Sequence, residues 1–510
     1  MRAPIQRFET GEGPSLQRYG GGNDEATAPG RHRHPRDEAI PTPKKEKPPN
    51  NPLVRGISEF CRVLQDRHTE NEDTFSPMSP PASDMPKRYT LYPPLLLLPA
   101  NFTTQNPRWT AFYQALGESD NMELFRVIAE KGFKGMAVSR IAINAPIAAE
   151  IEERRGDDGF AGGGGGAGDF YRVEEDTIRQ NDASTTKEQN VLRCPSGLLP
   201  VYGDWGPMPD HDDRQQKHRG RILHPTVQDF DAAFWTSTSQ LQGIAQCWAP
   251  LYTMFSRGNI SEKARILGLQ SHFPGLAESE LNQPIGDVDV VDFYIGIGYF
   301  AFCYLSRGVR RVYGWDINSW SIEGLRRGCE RNGWRCLVVR VGEAGSLQGS
   351  GSVRDLVEEI ARGDHADNRE AAVRCVAFLG DNKWAWKVLK EMQHECARID
   401  NNEGRVGSRF NVRHANLGLL PSSRASWQEA LQAITGLSEG GTGGWLHVHE
   451  NVDVREIDAM KLDIVRDIDG LVKREPGCPR TVSCPHVQQV KTYAPGVMHC
   501  VFDVEIKPNG

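Results

Sequence analysis

The chain has 510 residues, a formal net charge of −7 and 38% hydrophobic residues, with a mean hydropathy of −0.52. That length suits two or three domains, and the low hydropathy implies that part of the chain buries no core. No apolar run follows Met1-Arg2-Ala3-Pro4, the leucine run Leu95–Leu98 is too short to span a bilayer, and the 11 cysteines are scattered. A cytoplasmic protein without membrane attachment is expected, since disulfide frameworks belong to oxidising compartments. The net charge leaves the partner open, because charge distribution matters more than the sum.

Residues 1–88 are rich in Pro, Gly, Arg and Asp and read as a disordered tail. Its basic clusters, Arg31-His32-Arg33-His34-Pro35-Arg36 and Lys44-Lys45-Glu46-Lys47, suit RNA phosphates, a nuclear signal or plain solvation. Residues 89–245 form a smaller N-terminal α+β domain, opening on the apolar strand at Leu95. Within it, Asn121–Lys131 has helical spacing at Met122, Leu124, Phe125, Ile128 and Ala129. The glycine run Gly162–Gly166 reads as a flexible insertion.

The main domain is expected over 246–510. Ser261–Leu267 reads as a helix, Val288–Tyr294 as a buried strand, and the helix from Tyr299 stops at Gly308, a residue suited to a left-handed cap. Val309–Gly314 is a second strand, and the helix Ser319–Arg331 stops at Asn332-Gly333. An insertion over 342–372 is expected to loop out, with a short helix around Leu356–Ile360. Val373–Leu379, Val412–Leu420 and Trp445–Val448 are further strands, and alternation at Met498, Cys500, Phe502, Val504 and Ile506 predicts a terminal one. Strands alternating with helices imply an α/β fold, a mostly parallel sheet covered on both faces.

Chemistry concentrates in two segments. Gly296-Ile297-Gly298-Tyr299-Phe300-Ala301 follows a strand and opens a helix, which lets backbone approach a nucleotide. Asp316 lies 20 residues after Gly296, where a second-strand carboxylate can accept hydrogen bonds from a ribose diol. That pattern suits a dinucleotide or S-adenosylmethionine equally. Asp381 and Asn382 end a later strand, where they can face an adenine or simply form a turn. Ser256 through Arg265 combine a hydroxyl, a helix N-terminus and cations, a corner for an anionic group or a solvated cap. His447, His449, Cys478, Cys484 and His486 fit no zinc spacing, so no metal is expected.

Seven segments occur in a characteristic order: Met254–Asn259, Glu262-Lys263, Asp292–Phe300, Gly380-Asp381-Asn382, Asn416–Ser423, Gly444–Val452 and Val490–Pro495. Together they resemble the family of the second enzyme of wybutosine synthesis, in a filamentous-fungus-like form with insertions. The resemblance spans 246–505 and is thinner at Leu95–Pro99 and Arg140–Ile147. It implies a Rossmann-like class I S-adenosylmethionine-dependent transferase. The implied reaction is transfer of the 3-amino-3-carboxypropyl group to C7 of 4-demethylwyosine at position 37 of phenylalanine tRNA. A monomer is expected. The resemblance places Ser256, Lys263, Asp316, Asp381 and Asn382 on the cofactor, beside Gly296 and Gly298, and identifies no catalytic base. This chain departs from the family at Asp316, usually Glu, and at Lys383, usually Arg. The nearest rival, tRNA guanine-N1 methyltransferases, carries Asn-Leu-Pro where this chain has Leu419-Leu420-Pro421. A non-catalytic tRNA-binding scaffold is the reading from another class.

Overall fold

Apolar strands alternating with helices close here into a nine-stranded sheet, accompanied by a four-stranded sheet and a two-stranded hairpin. The computed structural model describes residues 49–69, 78–144, 198–206, 222, 224–256, 258–281, 283–349, 351–364, 371–403, 410–438, 441–475 and 479–509. The basic clusters, the glycine run and Cys478 lie outside the described residues.

In the smaller sheet, β1 (Thr90–Tyr92) pairs antiparallel with β2 (Leu95–Leu98). β2 runs parallel to β3 (Arg140–Ile143), and β3 antiparallel to β4 (Leu199–Tyr202). The expected tail does not extend to residue 88. Pro52–Thr69 is an 18-residue helix, and its Leu53, Ile57, Phe60 and Leu64 are buried against the helix Glu118–Val127 and Phe133. These apolar residues recur every three or four positions, a helical stripe hidden by the polar average of the surrounding composition. Asn51 caps the helix, its Oδ1 accepting from the N–H groups of Leu53 (3.0 Å) and Val54 (3.2 Å), with Pro52 at the first turn.

The hairpin consists of β5 (Thr236–Ser239) and β6 (Ala245–Trp248). The expected domain boundary between residues 245 and 246 therefore falls inside a strand. Thr236 also donates to the Tyr92 carbonyl at 3.1 Å, tying the hairpin to the smaller sheet.

The large sheet contains β7 (Asp289–Asp292), β8 (Arg311–Asp316), β9 (Arg335–Val341), β10 (Leu347–Gln348), β11 (Val373–Leu379), β12 (Val412–Leu417), β13 (Gly444–Asp453), β14 (Arg480–Ala494) and β15 (Val497–Pro508). Their order is β10-β9-β11-β8-β7-β12-β13-β15-β14. The six strands from β9 to β13 are parallel, and β10, β15 and β14 join antiparallel. Successive side chains take opposite faces. Val290, Val312 and Ala377 pack with the helices Ala301–Arg307 and Ser319–Arg331, while Val291, Tyr313 and Phe378 pack with Ala385–Glu403, Trp427–Gly436 and Ile457–Val472. This is the doubly covered, mostly parallel sheet expected of a Rossmann-like fold.

The insertion over 342–372 does not simply loop out. Its helix Val353–Asp364 buries Leu356, Val357 and Ile360 against the sheet, and Asp364 accepts from buried Arg311 at 2.5 Å. Among the described residues no helix is long and apolar enough to cross a membrane.

Candidate cofactor site

Four parallel strands end together at one edge of the sheet, and backbone hydrogen bonds join their ends. Phe293 N donates to Asn416 O (3.0 Å), Ile295 N to Trp315 O (2.9 Å) and Gly380 N to Asp316 O (3.0 Å). The carboxyl ends of β12, β7, β8 and β11 thereby form one crevice edge, the place where such sheets bind nucleotides.

The turn after β7 requires its glycines. Gly296 (φ +53°) and Gly298 (φ +87°) are both left-handed, and a Cβ on Gly298 would lie 2.6 Å from the Phe302 ring. Gly308 caps the following helix at φ +115°, as its position in the sequence predicts. Asp316 ends β8 beneath the turn. Its Oδ2 accepts from Gly296 N at 3.1 Å and its Oδ1 from Asn318 N at 2.7 Å. A carboxylate offers about four acceptor positions, so two backbone donors and a ligand diol are compatible.

Asp381 and Asn382 have different surroundings. Asp381 is exposed, caps the short turn at Asn382–Trp384 by accepting from Lys383 N (3.0 Å), and pairs with the Lys383 ammonium at 2.8 Å. Asn382 is held by protein at both ends of its amide: Nδ2 donates to Phe293 O (2.7 Å), and Oδ1 accepts from Ser426 Oγ (3.3 Å). The Asn382 side chain therefore ties β11 to the end of β7.

Ser256 and Lys263 come from the segment that precedes the sheet. Ser256 is half-buried, two residues after Met254, whose carbonyl accepts from the Tyr299 hydroxyl of the glycine turn. Lys263 is buried, its ammonium 5.5 Å from the centre of the Tyr299 ring and hydrogen-bonded to Gln240 Oε1 (2.6 Å) and Gln246 Oε1 (3.1 Å). Burial brings its pKa down to about 8. The structure thus brings Lys263 to the turn with two glutamines holding it, contacts that sequence reasoning did not foresee.

Asp292, to which sequence reasoning assigned no separate role, ends β7 beside this crevice. It is 1% exposed, and Oδ1 accepts from Asn416 Nδ2 and Tyr294 N, each at 3.1 Å. Its Oδ2 meets no partner among the described residues. Burial pushes the carboxyl up to about 7, with the Asp316 charge acting in the same direction. The sequence signal was a second acid, after Asp289, closing a short strand whose central residues are both valine.

No family model matches the chain. Among characterised proteins, it is 32% identical over 423 residues to tRNA wybutosine-synthesizing protein 2 of Schizosaccharomyces pombe, covering 82% of this chain and 73% of that one. The chain belongs to the tRNA wybutosine-synthesizing protein 2 family. The Saccharomyces cerevisiae protein of the same name is 27% identical over 477 residues, covering 88% of this chain and 80% of its own. Among solved structures, Pyrococcus horikoshii TYW2 in complex with MeSAdo is 13% identical with a TM-score of 0.42, covering 89% of this chain and all of that one. In this wybutosine-synthesizing protein 2 relative, Gly296, Gly298, Asp316, Asp381 and Asn382 share one sheet edge, Lys263 lies over the Tyr299 ring of the glycine turn, and Ser256 follows two residues after Met254, the partner of the Tyr299 hydroxyl.

Proposed function

We propose that this chain is an S-adenosylmethionine-dependent tRNA aminocarboxypropyltransferase acting as a monomer in the cytoplasm. It transfers the 3-amino-3-carboxypropyl group to C7 of 4-demethylwyosine at position 37 of phenylalanine tRNA. The observation carrying this reading is the 32% identity across 73% of the fission-yeast protein. The crevice supports it with a glycine turn, a ribose-height carboxylate at Asp316 and a further acid at Asp381. Residues 89–245, together with the helix Pro52–Thr69, and residues 246–510 are read as its N-terminal and transferase parts, with the hairpin β5–β6 bridging the division.

A sulfonium has three electrophilic carbons. Attack by C7 on the γ-carbon of the side chain forms the new C–C bond, breaks the S–C bond and releases 5′-methylthioadenosine, while C7 loses its proton. Attack on the methyl would release S-adenosylhomocysteine instead. Which carbon reacts depends on which one is held in line, so positioning carries the choice. In this reading Asp316 holds the ribose, Asp381 the adenine edge, and Gly296 and Gly298 allow backbone approach. Ser256 and Lys263 define the end where the aminocarboxypropyl group lies.

The test is mass spectrometry after incubation with S-adenosylmethionine and tRNA bearing the tricyclic precursor. Methylthioadenosine and a tRNA heavier by one aminocarboxypropyl group are expected. S-adenosylhomocysteine, with a methylated guanosine 37 when tRNA carrying unmodified guanosine there is supplied, would install a methyltransferase instead.

A further inference from the structure

Three cysteines from a helix and two strands meet on one face of the large sheet. Cys329 comes from the last turn of the helix Ser319–Arg331, Cys336 from β9, and Cys375 from β11, where it is the register partner of Cys336. Their sulfurs all lie within 4.8 Å of one another. Cys329 and Cys375 are fully buried, and Cys336 is half-buried. Spacings of seven and thirty-nine residues correspond to no metal-binding motif, so the group is invisible in the sequence.

We propose that Cys329, Cys336 and Cys375 form a three-thiolate site for a thiophilic d10 cation, monovalent copper or divalent zinc. Thiolates are soft ligands that favour these ions. A metal–sulfur bond of about 2.3 Å places three ligating sulfurs about 4 Å apart, so the group needs only small adjustments. Binding exchanges the three thiol protons for the cation, leaving a net charge of −1 with zinc or −2 with copper. Half-buried Cys336 provides the entry path and, for zinc, room for a fourth ligand from solvent. A bound cation joins the helix that follows Asp316 to the strand that leads to Asp381. It would act as a staple behind the crevice.

The full-length reduced chain is dialysed separately against zinc(II) and against copper(I) kept reduced by ascorbate, and retained metal is measured by mass spectrometry. One equivalent of one cation is expected, with a higher melting temperature, and the arm that retains metal identifies the ion. Loss of a ligand should weaken binding by at least about a hundredfold in Cys336→Ser, since even outer-shell changes reach that scale. Iodoacetamide labelling of the unaltered chain, read by peptide mass spectrometry, should show Cys336 protected when metal is present. The proposal is overturned by retention in neither arm, by equal retention in Cys336→Ser, or by equal Cys336 labelling with and without metal.

Discussion

Asp316 and Asp292 are two carboxylates at neighbouring strand ends with opposite environments. Asp316 accepts from Gly296 N and Asn318 N, so it shapes the glycine turn as well as presenting an acid to a ribose. Asp316→Ala should weaken S-adenosylmethionine binding by about 1.5–3 kcal/mol, roughly ten- to a hundredfold, measured by calorimetry on a variant that still melts cooperatively. Unchanged affinity with lowered stability would make the residue purely structural. Asp292 is raised to about 7 by burial, whereas its ordinary value is 3.8. Between those values the folded chain binds more protons than the unfolded one, so stability falls as pH rises through that window. The full difference is on the order of 4 kcal/mol at 1.36 kcal/mol per pH unit. Asp292→Asn should therefore melt like the wild type near pH 4 and above it near pH 8. A melting difference independent of pH would show that the carboxyl does not titrate there. The glycines and Asp316 were legible because their spacing lies within a single strand–helix–strand unit. The burial of Asp292 was not, because its partner Asn416 arrives 124 residues later.

At the scale of elements, the helix Pro52–Thr69 tests the boundary between tail and domain. Truncation at Asn50 should leave the melting temperature intact, whereas truncation at Lys87 removes Leu53, Ile57, Phe60 and Leu64 from a core. Each such loss costs about 2–5 kcal/mol, so the shorter protein should fail to melt cooperatively. Within that core Gly56 lies against another chain segment: a Cβ there would sit 2.8 Å from Ile128 Cα. Gly56→Ala should destabilise by about 1–3 kcal/mol through overpacking, despite the better helix propensity of alanine. A gain in melting temperature would mean that the two segments can separate without penalty. Elements with strong local periodicity were readable in the sequence, as with Ser319–Arg331, whose bounds match residue for residue. Strand β14 was missed because its burial pattern contains many half-buried and exposed positions and little apolar alternation. The hairpin β5–β6 was missed because Thr236–Ser239 is Thr-Ser-Thr-Ser, without apolar alternation.

Across the whole molecule, one buried charge cluster joins the segment before the sheet to the chain's last strand. Arg265 binds Glu262 at 2.8 and 2.9 Å and Asp503 at 2.6 and 3.1 Å, and Asp503 also accepts from His447 and His486, each at 2.7 Å. Arg265 and Asp503 are fully buried and 238 residues apart. Burial pushes Glu262 up. Asp503 is held well below the usual carboxylate range, because hydrogen bonds from His447 and His486 and the Arg265 charge outweigh its burial. Asp503 is thus the ionised centre of the cluster. Removing one partner of a buried pair strands the other charge, at about 3–5 kcal/mol. Asp503→Asn should lose that much stability in denaturant melts. The helix Ile260–Ile266 carries both Arg265 and Lys263, and Lys263 lies over Tyr299 of the glycine turn. The same substitution should therefore weaken S-adenosylmethionine binding beyond what Asn411→Ala does, since the Asn411 amide donates to Asp287 O and Gln283 Oε1, just before the opposite, amino-terminal end of β7. Equal affinities in the two variants, at matched stability, would confine the cluster to holding the fold.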